Sequence, residues 1–86
     1  RLGLSQSGLA RLSATLVALA QELCGGKIVF ALEGGYDMRT LRHGAANSVR
    51  ALLGRNDFTD SYGQSPRIEP DLCLLIRELK RIHRLT

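Results

Sequence analysis

The residues of this chain best suited to chemistry are Glu33-Gly34-Gly35-Tyr36. Two adjacent glycines let the backbone take conformations closed to other residues and let another molecule approach the main chain closely. A tyrosine directly after them, ahead of a helix start, carries a phenol into that space. A phenol carries an O–H that can donate a hydrogen bond. Such a donor suits the negative oxygen that develops when a carbonyl is attacked. The bland reading stands beside this one: a glycine pair between two elements is a common turn, and a tyrosine there can be a packing residue. Asp37 suits an N-cap better than a catalyst. No chemical role is assigned to Glu33.

The other candidate ligands do not assemble by spacing. His43 and His83 fall on predicted helices with no carboxylate or thiol partner at metal-ligand intervals, so both read as helix-surface residues. Cys24 and Cys73 are too few for a disulfide framework or a zinc cage. They read as two lone buried thiols of a reduced, cytoplasmic protein.

The elements that must position the turn follow from periodicity. From about Ser5 to Cys24, Leu9, Leu12, Leu16, Leu19 and Leu23 recur at three- and four-residue steps, one face of a helix. Ser5 or Ser7 can cap its start, and Gly25-Gly26 can end it. Lys27–Leu32 is a short, continuous, partly β-branched apolar run between two glycine pairs, the pattern of an interior strand in a parallel sheet covered on both faces. A second helix is predicted from about Met38 to Leu53, with Asp37 as N-cap, a stripe of Met38, Leu41, Ala45, Val49 and Leu52, and Gly54 as its stop. Residues 55–69 read as a long polar surface loop. A last helix is expected to begin at Pro70, with Leu72, Leu75, Ile76, Leu79 and Ile82 on one face and Arg77, Lys80, Arg81 and Arg84 on the other.

At 86 residues there is room for one small domain. A chain this short buries about 60–65% of the surface it exposes when unfolded, and two Phe, two Tyr and no Trp make a thin core. With 44% hydrophobic and 23% charged residues, the composition is that of a globular chain. No apolar run approaches the roughly 20 residues of a bilayer span, so no membrane partner is expected. Net charge is +4, with ten of twelve basic residues Arg. That falls short of a dedicated nucleic-acid binder. A single strand cannot satisfy its own backbone hydrogen bonds. The helix–strand–helix order, opening on Arg1, is therefore expected to be the C-terminal part of a larger α/β domain whose other strands lie outside this chain.

Lys27–Met38, together with Leu41 and Ser48–Gly54, closely resembles the histone deacetylase superfamily. The likeness is strongest to the class II-type branch, with its acetoin-utilisation-like proteins and acetylpolyamine amidohydrolases. The Leu-Glu-Gly-Gly-Tyr turn of Leu32–Tyr36 is its most specific part. The resemblance covers residues 2–54 well and is loose beyond Arg55. It implies an arginase/deacetylase-type α/β fold with a central parallel sheet. It also implies a catalytic zinc held by two Asp and one His, and a His general base. By the same resemblance Tyr36 donates a hydrogen bond to the acyl oxygen, while Gly34 and Gly35 shape the acyl pocket. The substrate would be an acylated amine such as acetyl-lysine or an acetylpolyamine. The zinc ligands of such proteins lie upstream of the matching region, so this chain alone is expected to bind no zinc, to be inactive, and to need the remainder of the domain as partner. Two other readings compete: a non-catalytic scaffold, and a binding module built on the basic face of the last helix.

Overall fold

The computed structural model describes residues 4–86; the start of the resemblance at Leu2 lies outside the described residues. Three helices occur among them: α1 (Gln6–Cys24), α2 (Met38–Leu52) and α3 (Cys73–Ile82). Their ends follow local chemistry. Ser5 is the N-cap of α1, its Oγ accepting the Gly8 amide at 2.9 Å. Gly25 closes α1 in the left-handed region at φ 63°, and the Gly25 and Gly26 amides both turn back to donate to Ala20 O, the latter at 2.9 Å. Asp37 caps α2, its Oδ1 accepting the Thr40 amide at 2.7 Å. α2 stops ahead of Gly54, as expected.

The α/β expectation is not met. Among the described residues there is no strand and no sheet. Lys27–Leu32, read above as an interior strand, takes no regular secondary structure, and Val29 is 90% exposed. The physical reason is that a ladder needs a neighbour to receive its N–H and C=O groups, and no other described segment pairs with this one.

The packing face of α1 also differs from its leucine stripe. α1 packs on α2, and the residues buried there are small or polar: Gln6, Ala10, Ser13 and Ala20 from α1, Asn47 and Ala51 from α2. This face lies one residue, about 100°, round from Leu9, Leu12, Leu16, Leu19 and Leu23. Those leucines stay 41–72% exposed. Each fully buried leucine would contribute about 1.5–3 kcal/mol, so the α1–α2 contact forgoes that term. It relies instead on close approach of small side chains and on polar locks. Ser13 and Ser48 return their hydroxyls to Leu9 O and Gly44 O, which lets them sit on helix faces without an unpaired donor.

α3 starts at Cys73 and not at Pro70. The Asp71 carboxylate takes the Cys73 amide at 2.9 Å, a local bond that competes with helix at 70–71. α3 packs against neither α1 nor α2, and every residue from Cys73 to Ile82 is exposed. Arg84 falls outside it with φ 53°, off the helical face expected for it. Cys24 and Cys73 are both free and exposed, which corrects the expectation of two buried thiols. No helix among the described residues is long and apolar enough to cross a membrane.

Candidate functional site

The Glu33–Tyr36 turn stands immediately before the α2 N-terminus. Gly35 has φ 84°, a conformation in which a side chain is strained, so the glycine is required there. Gly34 and Gly35 line an open hollow of about 480 Å³ whose other walls include Leu9 of α1 and Thr40, Leu41 and Gly44 of α2. Gly35 also lines a second, larger hollow of about 830 Å³, bounded across from it by Gln6, Asp60 and Tyr62. The structure thus brings the glycine pair to a groove between the two helices. Tyr36 is left beside it, 75% exposed, its phenol donating to Glu33 O at 3.5 Å. That long bond to its own turn leaves the phenol free to take another acceptor.

Residues with no motif signature hold this region together. The segment Asp57–Gly63 is pinned across both helices. The Asn47 amide, 1% exposed, donates to Thr59 O at 2.7 Å and accepts the Thr59 amide at 2.9 Å, as a neighbouring strand would. His43 Nδ1 meets Thr59 Oγ1 at 3.1 Å, so this histidine belongs to the same lock. Asp60 accepts the Ser7 amide at 3.0 Å through Oδ2, and the Tyr62 and Gly63 amides through Oδ1. These hydrogen bonds, Ser7's foremost, hold its carboxyl below the usual carboxylate range. Gln6 Oε1 accepts the Ser61 amide at 2.8 Å. The Asp37 carboxyl is lowered too, first by its bonds with Thr40 and then by the Tyr62 hydroxyl at 3.3 Å. The one sequence signal for these pins is Asn47, a polar residue on the side of α2 that also carries Ala51.

The described residues do not fit the zinc that the resemblance implies. No group of three or more His, Cys, Asp or Glu among them comes together in a way that could hold a metal ion. Asp60 spends both oxygens on backbone amides, Asp37 Oδ1 is taken by the Thr40 amide and the Tyr62 hydroxyl, and His83 lies at the end of α3, far along the chain from either. The basic residues of α3 are exposed; Arg81 pairs with Glu78 one turn before it.

No family model matches this chain, and no solved structure matches it. Curated relatives do. "Histone deacetylase 10, chloroplastic" of Oryza sativa subsp. japonica is 35% identical over 78 residues, 86% of this chain and 18% of that protein. "Histone deacetylase 14, chloroplastic" of Arabidopsis thaliana is 48% identical over 44 residues, 51% of this chain and 10% of that protein. "Histone deacetylase 4" of Caenorhabditis elegans is 50% identical over 32 residues, 37% of this chain and 4% of that protein. These matches support histone deacetylase family membership. The chain spans less than a fifth of the length of these relatives.

Proposed function

We propose that this chain supplies the oxyanion-binding turn of a deacetylase, an amidohydrolase that removes acetyl or related acyl groups from amines such as acetyl-lysine or an acetylpolyamine. Water adds to the amide carbonyl, the C–N bond breaks, and a carboxylic acid and an amine leave. Tyr36 donates its phenolic hydrogen to the acyl oxygen, more strongly as that oxygen gains charge, and keeps its proton throughout. Gly34 and Gly35 present an edge without side chains to the acyl group. What supports the reading most is one arrangement: an exposed phenol follows a glycine pair that lines a groove at the α2 N-terminus. The described residues offer no zinc-binding cluster, and the part they play is that of hydrogen-bond donor and acyl-pocket edge.

Acetate release from acetyl-lysine peptide and from acetylpolyamine tests the reading. Compared side by side are the protein encoded by the whole reading frame around this chain and the 86-residue chain alone. Turnover by the former and none by the latter is expected. Absence of turnover by the former on either substrate, with the protein folded, contradicts it.

A second reading has one observation in its favour. α3 is amphipathic, packs on neither α1 nor α2, and carries Arg77, Lys80 and Arg81 in solvent. A basic-helix module of this kind binds a phosphate-rich partner with steep salt dependence. Binding to duplex DNA that weakens sharply between low and moderate salt would support it.

A further inference from the structure

Within its own turn Tyr36 is held only by the long 3.5 Å bond from its phenol to Glu33 O. Upstream, residues 27–33 carry no ladder hydrogen bonds, and a Cβ placed on Gly34 or Gly35 would meet nothing within 4 Å. Glu33 itself sits in a segment without a ladder, so that bond anchors the phenol weakly, and the firm hold on the turn comes through the N-terminus of α2, one residue on. That terminus is gripped from outside the helix. Arg39 Nη2 donates to Ser61 O at 2.8 Å, and its guanidinium carbon lies 4.7 Å from the centre of the Tyr62 ring. The Tyr62 hydroxyl donates to Asp37 Oδ1 at 3.3 Å, the same oxygen that caps α2 by accepting the Thr40 amide. The far side of the loop is anchored independently, by Ser7 on Asp60 and by Gln6 on Ser61.

We infer that residues 59–63 form a strap that sets the position of the Tyr36 turn, with Arg39 and Tyr62 as its positioning residues. The inference rests on the role given to Tyr36 above. Neither residue touches substrate; each acts by fixing Asp37 and, through it, the residue before. A stacked guanidinium with a charge-assisted bond to a carbonyl is well suited to this, because both contacts restrict the same planar group. A displacement of a catalytic donor by a fraction of an ångström to one ångström is enough to cost turnover.

The experiment is a cycle on the protein of the whole reading frame, reading kcat and KM with an acylated amine. Arg39→Ala is expected to lower kcat by about 5- to 10-fold with KM changed by less than about twofold. Arg39→Lys, which keeps a cation over the ring and a donor for Ser61 O, should recover most of that loss. In a Tyr36→Phe background the Arg39→Ala loss should vanish, because there is no phenol left to position. Tyr62→Leu, which can neither stack the guanidinium nor reach Asp37, should repeat the pattern. An Arg39→Ala loss of equal size in both backgrounds overturns the strap while leaving the Tyr36 role standing. Tyr36→Phe with undiminished turnover overturns that role and the strap with it.

Discussion

Asn47→Ala is the substitution whose cost can be worked most directly from contacts. The side chain is 1% exposed. It makes two good bonds to the Thr59 backbone, at 2.7 and 2.9 Å, and accepts Arg50 Nη1 at 3.0 Å. Each of the two backbone bonds is worth about 1 kcal/mol net. Thr59 itself is exposed, so water can take over its N–H and C=O, and the full penalty for unpaired buried groups is not incurred. The Arg50 bond reaches solvent and adds little. Alanine returns about 0.5 kcal/mol through better helix propensity. The sum is about 1.5–2 kcal/mol, or roughly 10- to 30-fold in an equilibrium constant. Amide exchange at Thr59, read by NMR on the 86-residue chain, should speed up by that factor, with a matching drop in urea stability. Asn47→Asp should cost more at neutral pH, because a carboxylate oxygen then faces Thr59 O. It should cost less below about pH 4, where a protonated carboxyl can donate to that oxygen. A change below threefold at Thr59 for Asn47→Ala would refute the lock.

Acid should loosen the same loop. Asp60 and Asp37 both have carboxyl pKa values lowered from 3.8 in the folded chain. A depressed folded pKa contributes stability that is present above the unfolded value and lost as pH falls through the folded one. The Ser7 and Thr40 amides should therefore lose protection only below about pH 3.8, and Asp60→Asn should abolish the Ser7 part of that transition. Cys24 and Cys73 should both react with a thiol reagent in the folded chain at rates within about tenfold of an unfolded control; protection of either would place it under cover that these contacts do not provide.

The ends of α1 and α2 were legible because capping is local: Ser5, Asp37, Gly25 and Gly54 act within three or four residues of themselves, whereas the start of α3 was not, since Asp71 holds residues 70–71 out of the helix. The strand expected at Lys27–Leu32 was not sound, because composition reports a taste for burial and for β structure but says nothing of whether a neighbour is present. Val29, apolar and β-branched, is nearly bare. The leucine stripe of α1 misled in a related way. Periodicity finds the greasiest face, whereas Ala10, Ser13, Asn47 and Ala51 show the packed face to be the one that lets two backbones approach. At the site, Gly34, Gly35 and Tyr36 stood out by type and order. The residues that secure their surroundings did not. Asp60 to Ser7 and Gln6 to Ser61 span more than 50 residues of sequence and follow no spacing rule.

The central claim is that Tyr36 hydrogen-bonds the developing acyl oxygen. Tyr36→Phe in the protein of the whole reading frame, assayed for acetate release, tests it most directly. If Tyr36 is that donor, kcat falls by roughly 10²–10³, the usual loss for one oxyanion donor, with kcat/KM falling in step. A fall of less than about threefold, in a variant with unchanged fold, would contradict it.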